Sequence, residues 1–432
     1  MAEKRIVKVP RGLERRAADR LTGRYIMAFR QGAQKKVSAA LAELGIPAAR
    51  TKPPKAKVAH PLPHGQHYIL PVLGLAVIDP HSELEERLLS LAGRDKDVLS
   101  LAPERIFKVV SNSPDYLRGW RDATNALTTS LLTDGASRPF MPASAGTATP
   151  GSPDDDWWLT VIGVKASHLT GASIKIGILD TGMDVTHPDF HGRDITPDSF
   201  VGDGQDIQDT SGHGTACAGL AAGPLNPRQG ARYGVACESS LYVVRVAHFN
   251  GIDYEAPAGT IHQGIDAALD KGCQVISISF ESKWTATQDD YDQELETTIS
   301  NALDKHCVVV AAAGNEGRTL GAPGNCPSAL TVAAVDRALV TASFSNRKTD
   351  NPPRGPDIAA PGVNIRSCTL GGGYGWNSGT SFACPQVAGI AALLAQSDPT
   401  LRGRKLKDAV IARCRPLQDP VGEVGHGLVQ AP

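Results

Sequence analysis

The sequence lacks several features that would assign a function class at once. Its longest apolar stretches, residues 68–78 and 307–313, are too short to cross a bilayer, so the sequence predicts no membrane span. The formal net charge is −1, which argues against nucleic acid as a partner. The first 21 residues lack the apolar core of a secretory signal. We therefore expect a cytoplasmic protein, or one exported by a leaderless route.

Cysteine is absent before residue 217, and no two cysteines stand at Cys-x-x-Cys spacing. That absence argues against a zinc cluster. Several of the eight cysteines fall in apolar segments, where a free thiol packs like a small hydrophobic group. The sequence favours reduced thiols, while the even number leaves one or two disulfides open.

Composition divides the chain into four parts. Residues 1–21 form a basic N-terminal extension, which we interpret as a solvated surface rather than an arm for an acidic partner. Residues 22–110 alternate in the order β-α-β-β-α-β, the ferredoxin-like α+β pattern. Residues 111–156 predict a linker that is rich in Pro, Ala and Ser after about residue 134. The remaining residues, 157–432, form the largest unit.

Nearly continuous apolar segments mark this largest unit. They are residues 174–180, 241–247, 273–280 and 306–314. Such runs are typical of strands that are buried on both faces of a parallel sheet. Helical segments lie between them, for example residues 258–272 and about 289–305. The alternation predicts an α/β layered domain.

Four glycine-flanked or strand-end positions of this domain carry reactive side chains. Asp180 ends the first apolar strand, and His213 stands between two glycines at the start of a small-residue helix. Asn315 follows a glycine in a predicted turn, and Ser381 precedes an apolar helix. A serine attacks only when a base takes its proton, the base needs an acid, and the oxyanion needs donors. The set therefore predicts nucleophilic acyl transfer.

The motifs that hold these residues are "ILDTGMDVTHPDF", "GHGTACAG", "AAAGNEG" and "SGTSFACPQVAG". In this order they resemble the subtilisin-like serine proteases. The resemblance implies a three-layer subtilisin fold with a mostly parallel sheet. It implies that Asp180 orients His213 and that His213 acts as general base for Ser381, while Asn315 binds the oxyanion. We accordingly expect a monomer that hydrolyses protein or peptide substrates and requires no cofactor.

The resemblance also implies a cleft for extended substrate. Its expected residues are Ser277, Ser279, Phe280, Ala313, Gly314, Gly321, Gly379 and Thr380. Many members of the family have Leu-Gly-Gly where this chain has Phe280, Glu281 and Ser282, a change that narrows or charges the cleft. A dedicated processing protease or peptide transferase with few targets is therefore the alternative to a general endopeptidase.

Two further expectations come from the same resemblance. Residues 22–110 resemble the family's propeptide, which implies a zymogen that its own prodomain inhibits. The processing cut then falls soon after residue 110, or an added segment at residues 113–132 precedes it. Asp189 matches a position that can ligate calcium in the family, and Asn226 lies in a loop that could complete such a site, so a structural calcium is left open.

A proline inside the apolar helix after the serine needs its own explanation. If the helix begins at or near Ser381, Pro385 falls in about the first turn, where a missing N–H costs least. The start of the helix would then direct its dipole and free N–H groups at the developing oxyanion.

Overall fold

The structure is a computed structural model that describes most of residues 156–432 and parts of the first 109 residues. The described ranges are 5–6, 21–30, 32–46, 67–70, 72–79, 82–109, 156–201, 207–251, 253–282, 291–348 and 354–432. The predicted linker lies outside them except for Asp156, and so does most of the basic N-terminal extension. Among the described residues, no helix combines the length and apolarity that a membrane span needs.

The segment from Leu21 to Val109 folds as a split β-α-β-β-α-β unit. Its elements are β2 (Leu21–Phe29), α1 (Gln34–Glu43), β3 (Tyr68–Leu70), β4 (Leu75–Ile78), α2 (Ser82–Arg94) and β5 (Val98–Val109), preceded by a short strand β1 (Arg5–Ile6). The strands lie in the order β3-β4-β2-β5, and each neighbouring pair is antiparallel. This is the strand order of a ferredoxin-like unit.

Both faces of this N-terminal sheet are buried. Successive residues of a strand point to opposite faces, and in β2 the side chains of Tyr25 and Met27 pack in a core with α1 and α2. Ile26 and Ala28 belong instead to a core shared with the helices of the large domain. The N-terminal unit is therefore packed against the large domain through one face of its sheet.

The large domain alternates strands with helices. Its elements are α3 (Trp157–Val161), β6 (Lys175–Asp180), β7 (Ile195–Ser199), α4 (His213–Ala222), β8 (Ser240–Arg245), β9 (His248–Phe249), β10 (Tyr254–Pro257), α5 (Ala258–Asp270), β11 (Val275–Ile278), β12 (Phe280–Glu281), α6 (Gln293–Asp304), β13 (Val308–Ala312), β14 (Leu330–Val335), β15 (Ile358–Pro361), β16 (Ile365–Cys368), β17 (Tyr374–Asn377), α7 (Thr380–Ser397), α8 (Arg404–Ala412) and α9 (Val421–Val424).

A parallel sheet of seven described strands forms the middle layer. The strand order is β15-β14-β13-β11-β6-β8-β7, and all neighbouring pairs are parallel. The predicted apolar segments supply β6, β8, β11 and β13 at its centre. Helices α4 and α7 share a core with one face, and α5 and α6 share a core with the other. The predicted three-layer fold with a parallel sheet is confirmed.

The last strand of the N-terminal unit lies between two strands of the large domain. Strand β5 pairs antiparallel with β10, where Lys108 is opposite Glu255. On its other side it pairs antiparallel with β12, where Lys108 is opposite Glu281 and Val109 is opposite Phe280. The chain thus enters the large domain as an added strand next to the carboxyl end of β11.

Candidate active site

An acid and an imidazole meet where β6 ends and α4 begins. His213 Nδ1 lies 2.7 Å from Asp180 Oδ1, and both side chains are buried. The same Asp180 oxygen accepts a hydrogen bond from Thr181 N at 2.8 Å. Burial lowers the pKa of His213, but the charge of Asp180 and the hydrogen bond to it outweigh burial and leave that pKa raised. Since a carboxylate can only accept, Nδ1 carries the proton and Nε2 is left as the basic nitrogen.

The start of the histidine helix is held by a carboxylate that the sequence analysis missed. Asp209 is buried, and its Oδ1 accepts hydrogen bonds from Thr181 Oγ1, Ser211 N and Gly212 N at 2.8–2.9 Å. Its Oδ2 accepts from Thr215 N and Thr215 Oγ1 at 2.9 and 2.7 Å. Asp209 therefore satisfies N–H groups that the first turn of α4 cannot bond internally. In the sequence, the feature that could have indicated this role is an aspartate four residues before His213.

The glycine after the histidine allows the helix to lie against β6. A Cβ at Gly214 would lie 2.2 Å from Gly182 O and 3.1 Å from the Cβ of Asp180. Any side chain there would push α4 away from the strand that carries the acid. The contact of 2.7 Å between Asp180 and His213 thus depends on this close backbone approach.

The serine lies at the start of α7, which begins at Thr380. Ser381 is fully buried, and its hydroxyl donates to Ser279 O at 3.4 Å. His213 Nε2 is buried and makes no hydrogen bond with any residue that the structure describes. The hydroxyl is therefore directed at the strand edge rather than at the imidazole. In enzymes without bound substrate, the hydrogen bond between nucleophile and base is often long or poorly aligned, and it tightens only when substrate binds.

Pro385 lies deeper in α7 than the sequence analysis placed it. The helix spans Thr380–Ser397, so Pro385 is its sixth residue and stands beyond the first turn. The predicted helix start is correct to within one residue, but Pro385 lies just past the first turn rather than within it. A proline here removes the N–H that would bond to Ser381 O. That carbonyl accepts instead from Ser279 Oγ at 3.1 Å and from Cys217 Sγ at 3.4 Å, so it is satisfied from outside the helix.

An amide is fixed beside the serine. Asn315 Oδ1 accepts hydrogen bonds from Thr380 N and Thr380 Oγ1, both at 2.8 Å. Because a backbone N–H can only donate, the atom it faces is the oxygen, and the NH₂ group is on the other side. A Cβ at Gly379 would lie 2.8 Å from Asn315 Nδ2. Glycine at that position therefore leaves the space next to the amide donor open.

The other expected cleft residues lie along β11 and β12, after β13 and beside Glu281. Ser279 is bonded to Ser381, and Phe280 follows in β12 with a fully buried side chain. Ala313 is buried at the end of β13, and the N–H of Gly314 donates to Thr380 Oγ1 at 3.1 Å. Ser277 lies one layer deeper, where its Oγ is 3.4 Å from Cys384 Sγ. Gly321 lies beside Glu281, since a Cβ at Gly321 would be 2.7 Å from Glu281 Cγ.

The two calcium candidates differ in exposure and in hydrogen-bond partners. Asp189 is buried, and its carboxylate accepts hydrogen bonds from Tyr233 OH, Tyr374 OH and Arg228 N, each at 2.8 Å. Asn226 is exposed, and no hydrogen bond among the described residues joins it to Asp189.

A thiol lies next to the imidazole. Cys217 Sγ is 3.8 Å from His213 Nδ1, one helical turn along α4, and burial raises the pKa of this thiol. All eight cysteines lie in described segments, and all are free thiols. Sequence reasoning had left disulfides open.

Comparison with known proteins shows the family. The model of the subtilase family matches residues 171–427, a range that contains Asp180, His213, Asn315 and Ser381. The chain belongs to the subtilase family. It is thus a serine peptidase by family, as the four motifs indicated.

Relatives of this subtilase share its large domain. A subtilisin from Bacillus pumilus is 38% identical over 251 residues, which are 57% of this chain and 85% of that protein. Subtilisin E from Bacillus subtilis is 37% identical over 251 residues, and the match spans 61% of its length. A thermophilic serine proteinase from Bacillus sp. strain AK1 is 40% identical over 225 residues, or 51% of this chain and 52% of that protein.

A solved structure has the same fold. The crystal structure of a cold adapted subtilisin-like serine proteinase matches with a TM-score of 0.55 and 26% identity. The match covers 64% of this chain and 98% of that one. The three-layer arrangement described above is therefore that of a subtilisin-like proteinase.

Proposed function

We propose that this subtilase is a serine endopeptidase that hydrolyses peptide bonds through an acyl-enzyme and is made as a self-inhibited zymogen. The contact of 2.7 Å between His213 and Asp180 carries the catalytic part of the proposal, since it fixes one tautomer of the imidazole. Ser381 is the nucleophile. Its hydroxyl rotates from Ser279 O toward His213 Nε2, which takes the proton as the oxygen attacks the substrate carbonyl.

The oxyanion that forms needs donors that are already in place. Asn315 Nδ2 is the side-chain donor, because Thr380 holds the other end of the amide at 2.8 Å. The N–H of Ser381, in the first turn of α7, is the second donor. In subtilisin itself, loss of the side-chain donor costs about 100–1000-fold in kcat. His213 then protonates the leaving amine, and water repeats the sequence to release the acid product.

Labelling with a serine-directed fluorophosphonate tests the nucleophile. After removal of the N-terminal unit, we expect Ser381 to be labelled in the wild type and the Ser381→Ala variant to remain unlabelled. Equal labelling of both, or no labelling of the wild type, would show that Ser381 is not an activated nucleophile.

The position of β5 supports the zymogen part. An extended substrate binds such a cleft by pairing its backbone with strand edges. Strand β5 pairs with β10 on one side and with β12 on the other, and β12 directly follows Ser279. The edge that would receive substrate is thus occupied by the chain's own segment up to Val109. The processing cut is proposed to fall near the end of this strand or beyond it, between about residues 108 and 157.

Buried polar contacts hold the N-terminal unit in place. Glu104 of β5 is fully buried and accepts hydrogen bonds from Gly259 N at 2.7 Å and from Arg24 Nε at 2.5 Å. Gly259 lies at the start of α5, where an anion also interacts favourably with the helix dipole. Between β3 and β4, Leu73 N donates to Asp266 Oδ1 of α5 at 3.0 Å, and Asn301 Nδ2 of α6 donates to Leu73 O at 2.9 Å. These contacts fit a unit that docks on α5 and α6.

N-terminal sequencing tests the self-processing. Purified wild type should carry a new N-terminus from the window between about residues 108 and 157, while Ser381→Ala should stay full length. If the alanine variant is cut to the same extent in pure form, the cut is not made by this active site.

A dedicated processing enzyme or peptide transferase is the second candidate function. The observation in its favour is the side chain of Glu281, which lies between Gly314 and Gly321 where many family members have only glycine. A library of peptide substrates separates the two candidates, because a general endopeptidase gives a flat profile and a dedicated one a narrow profile.

A reducing compartment is proposed as the place of action. Support comes from the eight cysteines, which are all free thiols. Oxidising compartments favour disulfides in proteins with many cysteines.

A further inference from the structure

The carboxylate of Glu281 lies between Gly314 and Gly321, two residues of the expected substrate cleft. A Cβ at Gly314 would lie 2.2 Å from Glu281 Oε1, and one at Gly321 would lie 2.9 Å from the same oxygen. Oε1 accepts a hydrogen bond from Asn346 Nδ2 at 2.5 Å, and Oε2 accepts from Asn315 N at 3.4 Å. The carboxylate therefore contacts the backbone of Asn315, the residue whose side chain is the proposed oxyanion donor.

We infer that Glu281 selects the substrate side chain before the scissile bond, and that it favours lysine and arginine. This inference rests on the proposed function. A cationic side chain forms a charge-assisted hydrogen bond with the carboxylate, whereas a large apolar side chain would take the place of water beside that charge and offer no hydrogen bond in return. An acidic side chain would be repelled. We expect lysine and arginine substrates to exceed phenylalanine substrates by about 10–100-fold in kcat/KM.

The test uses peptides that differ only in that residue, which is Lys, Arg, Ala, Phe or Glu. Glu281→Gln should lower kcat/KM for the Lys and Arg peptides about tenfold and leave the Ala peptide within about twofold. Glu238→Gln is the matched control, because Glu238 is exposed and precedes β8 at the amino ends of the parallel strands, away from the carboxyl ends where Ser279 and Glu281 lie, and it should keep the wild-type ranking. An unchanged ranking in Glu281→Gln would overturn the inference. The inference would also be overturned if the wild type prefers the Ala peptide and Glu281→Gly gains only cleavage of the Phe peptide, because Glu281 would then only fill space.

Failure of this inference can be told apart from failure of the proposed function. Labelled Ser381 and cleavage of the Ala peptide, together with no preference for Lys or Arg, would refute the role of Glu281 alone. Absence of both labelling and cleavage would refute the proposed function. The cut in the chain itself is no readout of specificity, because a tethered substrate has a high effective concentration.

A separate observation concerns Arg366 on β16. Its side chain is buried, with Nη1 donating to Ala231 O at 2.8 Å and Nη2 donating to Gln229 O at 2.7 Å. The guanidinium carbon lies 4.3 Å from the ring centroid of Tyr374 and 6.0 Å from that of Tyr233. A positive charge thus lies among the backbone oxygens of the loop that contains Asn226.

The residues of this region do not fit a calcium ion. Calcium takes six to eight oxygen ligands. The carboxylate of Asp189 is occupied by Tyr233, Tyr374 and the N–H of Arg228, so an ion there would have to displace three donors. The loop carbonyls of Gln229 and Ala231 are taken by Arg366.

We propose that Arg366 replaces a bound cation in holding the loop at residues 224–232. A guanidinium is always charged and offers directed donors, so it can satisfy carbonyl oxygens that would otherwise need a metal ion. Its two tyrosine neighbours add cation–π attraction, and both tyrosines donate to Asp189. The loop is therefore fixed by the chain itself.

Thermal melting tests this proposal. For wild type, excess EDTA and excess calcium should give melting temperatures within about 1 °C, and Arg366→Met should melt about 5 °C lower or more. Arg413→Met is the control, because Arg413 is exposed and donates to a single carbonyl, that of Ala431. A wild type that EDTA destabilises by several degrees and calcium restores would overturn the proposal, even if the methionine variant does not fold. An Arg366→Met variant that melts like wild type would also overturn it.

Discussion

Replacement of Asp209 by asparagine tests how the histidine is held. The carboxylate accepts five hydrogen bonds, and two of them reach Oδ2 from Thr215 at 2.7 and 2.9 Å. In Asp209→Asn an NH₂ group faces the N–H of Thr215, so this backbone donor loses its partner. Two bonds to a charged acceptor are worth about 1.5–3 kcal/mol each, and the Thr215 hydroxyl can turn to accept from the new amide. We therefore expect the free energy of unfolding to fall by about 3 kcal/mol, which lowers the melting temperature by about 6–12 °C.

The same variant changes the acidity of the base. The charge of Asp209 contributes to the raised pKa of His213, so removing it lowers that pKa. The imidazole acts as a base only when neutral, and it then stays neutral to lower pH. The acid limb of kcat/KM should therefore move to lower pH, while kcat/KM at its maximum falls about tenfold because His213 is less well positioned.

Asp419→Asn is the matched control for both measurements. Asp419 also accepts from the N–H and hydroxyl of one threonine, Thr341, at 2.6 and 2.7 Å, but its charge is not among those that raise the pKa of His213. It should lower the melting temperature and leave the acid limb unchanged. If Asp209→Asn melts like wild type and its acid limb does not move, the role given to Asp209 is wrong.

Three other perturbations follow from the same contacts. Thr380→Val removes the hydroxyl between Gly314 N and Asn315 Oδ1, so kcat should fall about tenfold with little change in KM, while Thr380→Ser should retain activity; equal rates for both would contradict this. Glu104→Gln weakens a buried contact with Arg24, so limited proteolysis should remove the N-terminal unit faster than in wild type, and unchanged kinetics would argue against that anchor. Native protein should react slowly with a thiol reagent and expose eight thiols on unfolding, because seven of its cysteines are buried; fewer than eight would reveal a disulfide.

The sequence predicted the centre of the fold because its signals are local. Strands buried on both faces appear as apolar runs, and β6, β8, β11 and β13 were all predicted. The residues at which these strands begin and end were predicted less well. The predicted strand at residues 273–280 divides into β11 and β12, because the chain leaves the parallel sheet after Ile278 and pairs with β5.

The positions of the reactive residues were visible for a similar reason. Each lies at a strand end or within two residues of a glycine, and Gly214 permits the close backbone approach between α4 and β6. Their roles remain predictions. Asp209 was missed because an aspartate before a helix is common, and only the five donors around it distinguish it. Arg366 was missed because its carbonyl partners lie more than 130 residues earlier, and nothing in "NIRSC" indicates them.

The placement of β5 has a consequence for the solution behaviour of the protein. Strands with unpaired N–H and C=O groups tend to join other chains, and aggregation follows. While β5 is in place, β10 and β12 each have a partner on that side. Departure of the N-terminal unit uncovers two facing edges at once, together with the apolar surface of Ile261 and Ile265. A processed enzyme should therefore be more prone to self-association than its precursor, and peptides that fill the cleft should keep it monomeric.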